Sequence, residues 1–310
     1  MKENLLKITK ELKSLKNIKG QLSVQPNHLY KIMKPPSQMT MHEKRSIKDN
    51  IAKSTLLSKF SGSIPEFQSD SLKNYGCQSS HQKGAFGEVS LCKITFMGVI
   101  CAKKVINGSS TDLKSEACAM LQLSGHPCFP FFYGIMKPGA LLMEYISPSA
   151  NAIMTSKSLN SIVKGSTLKT RQWFKICREL IKGLSHMHSK GLLHNDLHGN
   201  NILIRFDNSP CIIDFGKATL MEHPIVYNIV KGSKESLRYN KIHQHLAYEL
   251  RNQPNTPQSY LTDIYSLGYN FKAIATHSHI EPIMKLSKRM MCVPLERYTL
   301  EDCSVFLLKE

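Results

Sequence analysis

Three side chains with oxygen atoms suited to phosphate chemistry lie near one another in the sequence, namely Asp196, Asn201 and Asp214. Residues 202–213 between them read as a hairpin, with two short apolar strands joined by a polar turn. The hairpin would bring together an acid that can accept a proton and two groups that can hold a metal ion. Phosphoryl transfer needs this combination, because its catalysis consists mostly of positioning and charge neutralisation.

The composition indicates a folded protein with a basic surface. The chain has 310 residues, of which 41% are hydrophobic, and this is enough to build a sizeable core. Its formal net charge of +18 is compatible with nucleic acid, anionic membranes or acidic proteins as partners. No pattern specifies one of these, so we expect a soluble basic surface and no requirement for nucleic acid.

The cysteines and the apolar runs indicate an intracellular protein, cytoplasmic or nuclear. The 9 cysteines are scattered and odd in number, and they form no C-x-x-C pair, so we expect reduced thiols. The N-terminus lacks the apolar core of a signal peptide. No run approaches the roughly 20 apolar residues of a membrane span, so no transmembrane segment is expected.

Residues 1–70 are interpreted as a basic N-terminal extension. Over residues 2–19, apolar side chains recur every three or four positions between lysines, which predicts an amphipathic basic helix. This helix would either dock on its own domain or bind a partner or an anionic surface. Residues 20–70 contain several prolines and little periodicity, so a partly disordered linker is predicted.

The pattern changes at about residue 71. Residues 71–146 contain several alternating or apolar segments and one helical stretch at 113–123, which predicts a small antiparallel sheet with one helix. Residues 147–310 are mainly helical in pattern. The sequence therefore predicts an α+β architecture of two lobes, and ligands usually bind in the cleft between lobes.

A resemblance to a known family begins in the first lobe. Residues 82–89 read Q-K-G-A-F-G-E-V, which resembles the glycine-rich loop of eukaryotic-type protein kinase domains with Gln82 replacing the first glycine. Lys104 is similar to the strand lysine that follows this loop. Strand alternation allows only Lys103 or Lys104 to face the cleft, and the A-x-K register selects Lys104. Glu116 resembles the helix glutamate that pairs with this lysine.

Residues 194–216 carry the most specific part of the resemblance. The letters H-N-D ending at Asp196 are similar to the family's H-R-D, and D-F-G begins at Asp214. The resemblance implies that Asp196 orients the acceptor hydroxyl and takes its proton. It also implies that Asn201 and Asp214 hold Mg²⁺, whereas Asn200 is one residue out of register.

Later motifs agree with the family in order. Ala247-Tyr248-Glu249 resembles the A-P-E motif, and Asp263 stands where the central helix of the second lobe begins in the family. Arg297 falls where the family's arginine pairs with the glutamate of A-P-E. Such a buried pair would be costly to break from one side.

The resemblance implies a bilobal protein kinase fold, with lobes at 71–146 and 147–310 and ATP in the cleft. It further implies a Mg²⁺-dependent protein kinase that transfers the γ-phosphate of ATP to a protein hydroxyl, with Ser/Thr favoured over Tyr because the tyrosine-specific A-A-R pattern is absent. The catalytic residues that it assigns are Asp196, Lys104, Glu116 and His198. The nucleotide-binding residues that it assigns are Gln82, Lys83, Gly84, Ala85, Phe86, Gly87, Val89, Ala102, Lys104, the gatekeeper Met143, Glu144 and Ile146.

Two residues of the segment 194–216 depart from the family. Asn195 stands where the family usually has an arginine that receives a phosphate on the activation loop, here 217–246. We therefore hypothesise that phosphorylation of this loop is not needed for activity. His198 stands where Ser/Thr kinases have a lysine that contacts the γ-phosphate, and a histidine could do so when protonated or by donating one N–H when neutral.

Two other functions remain compatible with the sequence. The phrase H-N-D-L-H-G-N-N also resembles the loop of small-molecule kinases such as aminoglycoside and choline kinases. Gln82, Asn195 and Tyr248 would also suit a catalytically weak pseudokinase or scaffold. The A-x-E motif, Asp263, Arg297 and D-F-G favour a protein kinase over a small-molecule kinase. The presence of the catalytic and metal residues favours an active enzyme over a pseudokinase, namely Lys104, Glu116, Asp196, Asn201 and Asp214.

Overall fold

The computed structural model describes residues 53–310 except 61, 76–81, 85–86, 108, 150–154 and 166–167. The helix predicted over 2–19 lies outside the described residues. So do most of the predicted linker and two predicted nucleotide-binding residues, Ala85 and Phe86.

The first lobe is built on a seven-stranded sheet. Its strand order is β1-β6-β7-β5-β4-β2, and β3 pairs with β4 beside this path. All pairs are antiparallel except the parallel pair of β1 and β6. The strands are β1 (Glu66–Phe67), β2 (Leu72–Asn74), β3 (Gln82–Gly84), β4 (Gly87–Ile94), β5 (Val99–Ile106), β6 (Phe132–Met136) and β7 (Ala140–Glu144).

Over the part of the first lobe that the structure describes, two α-helices accompany the sheet, α1 (residues 53–59) and α2 (Ser110–Leu123). A capping box defines the start of α2, because the Ser109 hydroxyl accepts from the Asp112 amide while the Asp112 carboxylate accepts from the Ser109 amide. The sequence predicted one helix in this lobe and a lobe boundary at residue 71. The structure adds α1 before that boundary, and Leu56 of α1 is fully buried in the core.

The second lobe is mainly helical, as predicted, and the α+β fold class is confirmed. Its helices are α3 (Leu159–Gly165), α4 (Thr170–Ser189), α5 (Lys234–Ile242), α6 (Tyr248–Asn252), α7 (Tyr260–Ser278), α8 (Glu281–Met290) and α9 (Leu300–Leu308). Its short strands are β8 (Lys157–Ser158), β9 (Leu192–Leu193), β10 (Ile202–Ile204), β11 (Pro210–Ile212), β12 (Thr219–Leu220), β13 (Val226–Tyr227) and β14 (Thr256–Pro257). Among the residues described, every helix is too short or too polar to span a bilayer.

The predicted hairpin forms from β10 and β11, which pair antiparallel with Leu203 opposite Cys211. The second strand begins one residue earlier than the sequence indicated. Asp207 accepts hydrogen bonds from the Ser209 amide and hydroxyl, and Asn208 adopts a φ of 64°. Both features are typical of the turn chemistry from which the hairpin was predicted.

Helix α4 packs in the core of the second lobe. Its predicted apolar stripe is buried throughout, at Trp173, Cys177, Leu180, Leu184 and Met187. Gly191 follows the helix with a φ of 71°, as expected for the residue that ends a helix in the left-handed region. The chain then enters β9 and the loop that carries Asp196.

Candidate active site

Lys104 lies between two carboxylates contributed by different elements. Its Nζ is 2.7 Å from Glu116 Oε1 on α2 and 2.8 Å from Asp214 Oδ1 after β11. Lys104 is buried on β5, whereas its neighbour Lys103 points to the other face and is half-buried. The structure thus brings Lys104, Glu116 and Asp214 together, in the register that the motif selected.

The two carboxylates keep Lys104 charged. Burial alone would lower the pKa of the ammonium group, but the charges of Glu116 and Asp214 outweigh burial and raise it. Burial likewise opposes ionisation of Asp214, yet the charge of Lys104 holds the pKa of this carboxyl below its ordinary value. Burial raises the pKa of the Glu116 carboxyl, although the charge of Lys104 opposes this shift. Lys104 is therefore an ammonium ion at neutral pH, and its ionised partner is Asp214.

Asp196 is surrounded by cationic and imidazole groups. Its Oδ2 is 2.8 Å from Lys217 Nζ and 3.9 Å from His198 Nε2, and its Oδ1 is 3.2 Å from His245 Nε2. Burial opposes ionisation, but the hydrogen bond from His245 and the charge of Lys217 hold the pKa of Asp196 far below its usual range. Asp196 is thus a carboxylate at neutral pH and can accept a hydrogen bond from a hydroxyl group.

Lys217 and His245 were not identified from the sequence. Lys217 directly follows D-F-G and His245 lies two residues before Ala247, so both were visible as positions beside a motif. Neither forms part of a recognisable spacing pattern. Only the folded chain shows that both side chains reach the same carboxylate as His198.

A buried carboxylate on α7 holds the backbone of the loop that carries Asp196. Asp263 Oδ2 accepts from the His194 amide at 2.8 Å, and Oδ1 accepts from the Asn195 amide at 3.0 Å. His188 also approaches Asp263 Oδ2, at 3.2 Å. Asn195 has a φ of 68°, a conformation that asparagine tolerates better than most residues. The core of the helical lobe therefore sets the path of this loop.

The side chain of Asn195 joins the loop to the segment after D-F-G. Its Nδ2 donates to the Lys217 carbonyl and to Thr219 Oγ1, both at 2.8 Å. In the motif, Asn195 stands in place of the family's arginine, and here its side chain makes these neutral hydrogen bonds. Three of the hydroxyls of residues 217–246, on Thr219, Tyr227 and Ser236, are also buried.

His198 is oriented by its own loop. Its Nδ1 accepts from the Asn200 amide at 3.3 Å, so the proton of a neutral ring lies on Nε2, the atom nearest Asp196. Burial lowers the pKa of His198 to about 4, because the charge of Asp196 does not compensate for the lost hydration. Of the two forms that the sequence left open, the neutral one is present at pH 7.

Asn201 and Asp214 have the chemistry of a site for a hard cation. Asn201 Nδ2 donates to the Asp196 carbonyl at 3.0 Å, which leaves the amide oxygen as the atom that can face a metal ion. Asp214, with a φ of 67°, offers carboxylate oxygen at the end of the hairpin. Carboxylate and amide oxygens are ligands that Mg²⁺ accepts, so these residues fit the predicted ion.

The residues assigned to the nucleotide lie along neighbouring strands. Ala102 pairs with Met143, and Val89 pairs with Lys104, so these four side-chain positions belong to adjacent strands of the sheet. Gln82, Lys83 and Gly84 form β3, and Gly87 begins β4, as in the predicted glycine turn. Glu144 is the last residue of β7, and Ile146 lies in the connection to the second lobe.

Glu144 has a structural role that the sequence did not indicate. Its carboxylate accepts from Arg205 Nη2 at 2.8 Å, and Arg205 also donates to the Pro127 carbonyl. This ion pair ties the connection between the lobes to the residue that follows β10.

The predicted pair in the helical lobe is present. Arg297 Nη1 and Nη2 lie 2.8 Å and 3.2 Å from the two oxygens of Glu249, and both side chains are buried. Arg297 also donates to the carbonyls of Leu261 and Cys292. The pair connects α6, which carries Glu249, to the segment before α9.

The comparisons with known proteins agree with these motifs. A family model described as the protein kinase domain matches residues 82–293. Discoidin domain-containing receptor tyrosine kinase B of Caenorhabditis elegans is 30% identical over 173 residues, which are 54% of this chain and 20% of that protein. Misshapen-like kinase 1 of Rattus norvegicus is 25% identical over 198 residues, which are 60% of this chain and 14% of that protein.

A further relative carries Ser/Thr in its name. CBL-interacting serine/threonine-protein kinase 8 of Arabidopsis thaliana is 26% identical over 152 residues, which are 46% of this chain and 33% of that protein. The chain thus spans a third or less of the length of these curated relatives. The family match covers most of the chain, from the glycine turn to the last part of the helical lobe, and the chain belongs to the protein kinase domain family.

Proposed function

We propose that this chain transfers the γ-phosphate of ATP, with Mg²⁺, to a hydroxyl group of a protein substrate. The observation that carries the proposal is the contact of Lys104 with Glu116 and Asp214, at 2.7 and 2.8 Å. A buried ammonium ion held between two acids is a preorganised cation for phosphate groups. A scaffold would have no use for such a group beside an ionised Asp196.

ATP would lie between the sheet and the loop that carries Asp196. Lys104 would face the α- and β-phosphates, and Ala102, Val89 and Met143 would line the base. The Glu144 amide already donates to the Phe131 carbonyl, and the Ile146 carbonyl already accepts from the Ser156 hydroxyl, both at 2.7 Å. We therefore assign the Glu144 carbonyl and the Ile146 amide to the base.

Asn201 and Asp214 would hold Mg²⁺. The ion supplies charge neutralisation on the phosphate oxygens when it is bound. Asp196 would orient the substrate hydroxyl and take its proton as the new phosphate ester forms. Its low pKa keeps it ionised, so that it serves first as a hydrogen-bond acceptor that positions the hydroxyl oxygen.

We infer a serine or threonine acceptor. The tyrosine-specific pattern is absent from the loop 194–201, and a relative named as a serine/threonine kinase supports this choice. Another relative is named as a tyrosine kinase, so the acceptor must be measured. Autophosphorylation followed by phosphoamino-acid analysis would decide it. A parallel assay with small alcohols and aminoglycosides would reveal a small-molecule kinase.

Replacing Asp214 with asparagine is expected to lower Mg²⁺-dependent ATP turnover by about 100-fold or more. The substitution removes the charge of one residue that serves both as a proposed metal ligand and as a partner of Lys104. The measurement is phosphate transfer to a generic basic protein, with and without Mg²⁺. Asp207→Asn in the hairpin turn is the matched control and should behave as wild type. Equal turnover in wild type and Asp214→Asn would overturn the enzymatic proposal.

We also expect that the enzyme does not need a phosphate on residues 217–246. The side-chain Nδ2 of Asn195 already donates to the Lys217 carbonyl and to Thr219 Oγ1, which fixes the start of this segment without an added charge. Phosphatase-treated protein should therefore keep most of its activity. Asn195→Ala should lower activity whether or not the protein is phosphorylated, since it removes two hydrogen bonds. Loss of nearly all activity on phosphatase treatment of the wild type would contradict this expectation.

A further inference from the structure

We propose that Lys217 is a catalytic residue that supplies the cation at the transferring phosphate, in the role that the sequence resemblance assigned to position 198. The inference rests on the proposed function and names a residue of the same site. Its basis is the contact of Lys217 Nζ with Asp196 Oδ2 at 2.8 Å. The family resemblance gave Lys217 no role.

Phosphoryl transfer needs a cation close to the catalytic carboxylate. The hydroxyl oxygen forms a bond to the γ-phosphorus while the bond from that phosphorus to the bridging oxygen of ADP breaks, and the hydroxyl proton passes to Asp196. The reacting oxygen and phosphorus begin roughly 3–3.5 Å apart. A hydroxyl on Asp196 therefore places the γ-phosphate oxygens within a few ångströms of any cation on the same carboxylate. Charge on these oxygens makes such a cation stabilising.

His198 is poorly placed to provide this charge in the folded protein. Its Nδ1 accepts from the Asn200 amide, so that nitrogen is not available to a phosphate oxygen. It can donate a single N–H from Nε2, which lies 3.9 Å from Asp196 Oδ2. Lys104 is held 2.7 and 2.8 Å from Glu116 and Asp214, which places it on the side of the metal ligands.

The backbone of Lys217 is held by a hydrogen bond, and its side chain is partly exposed. Its carbonyl accepts from Asn195 Nδ2, and Asn195 is itself held by Asp263 on α7. The Lys217 side chain keeps 40% of its surface exposed, so the ammonium group can turn from Asp196 to a phosphate oxygen. His245, 3.2 Å from the other oxygen of Asp196, would continue to donate to the carboxylate after that turn.

The test is a set of substitutions at positions 217 and 198 in the full chain. Lys217→Met is expected to lower kcat by about 100-fold with little change in the KM for ATP, the size seen when one charge-stabilising donor is removed from an active site. Adding His198→Lys to Lys217→Met should restore a large part of kcat, because it returns an ammonium group to the same side of Asp196. Lys231→Met, an exposed lysine of the same segment, is the control and should match wild type.

Each outcome decides the inference. Lys217→Met with wild-type kcat would overturn it, as would a loss that His198→Lys leaves unchanged. A loss of kcat that comes with weaker ATP binding or with a lower melting temperature would instead assign Lys217 a purely structural role. Failure of the proposed function is distinct from all of these, because the wild type itself would then show no Mg²⁺-dependent turnover above Asp214→Asn.

Discussion

Replacing Lys104 with methionine is expected to abolish phosphoryl transfer and to destabilise the fold. Methionine nearly preserves the length of the side chain but leaves Glu116 and Asp214 without the cation that lies 2.7 and 2.8 Å from them. Breaking a buried ion pair from one side costs about 3–5 kcal/mol, because a buried charge is left uncompensated. Urea denaturation would report this loss, and ATP turnover would report the loss of the phosphate-facing cation.

The chain contains a matched control one residue away. Lys103→Met changes the same residue type on the same strand but on the opposite face, so we expect wild-type turnover. The double substitution Lys104→Met with Glu116→Gln should recover much of the stability while remaining inactive, because it removes a buried charge without replacing the cation. Comparable losses of turnover in Lys103→Met and Lys104→Met would refute the assignment of Lys104.

Shortening Leu56 to alanine is expected to lower the free energy of unfolding by about 2–5 kcal/mol, the usual cost of truncating a buried leucine. Leu56 is fully buried in a cluster that includes Leu113 and Ala117 of α2. Because Glu116 lies on α2, we expect lower ATP turnover as well as lower stability. The measurements are the urea midpoint and turnover at a temperature where the variant stays folded.

Two ion pairs also connect α1 to the rest of the kinase domain. Lys53 binds Asp112 at the start of α2 at 2.5 Å, and Lys59 pairs with Glu222 beyond β12. Ser58→Ala on the exposed side of α1 is the matched control and should not change either measurement. An unchanged urea midpoint in Leu56→Ala would show that packing of α1 does not contribute to the stability of the domain.

Position and register in the site were predictable where several residues form a motif. Lys104 was distinguished from Lys103 because strand alternation and the A-x-K spacing constrain the same residue, and the structure buries Lys104. The hairpin after Asn201 was likewise predictable, because apolar runs and a turn of Asp, Asn, Ser and Pro indicate one local structure. Local patterns of this kind determine local geometry.

Other features depend on contacts between distant residues. Helix α1 is short and its sequence has weak periodicity, so its stability comes from packing on α2 rather than from its own propensity. Lys217 and His245 reach Asp196 from 21 and 49 positions along the chain. A single lysine or histidine has no periodic signal that would indicate such a contact. The surroundings of Asp196 are therefore built partly from residues that no motif identifies.

The contact of Asp263 with two consecutive backbone amides has a consequence for local unfolding. The amides of His194 and Asn195 donate to a carboxylate that is buried on α7, so we expect both amides to exchange slowly with solvent. Segments that open together form one cooperative unit. We therefore expect the loop that carries Asp196 to open together with α7, with the free energy of a core element rather than that of a surface loop.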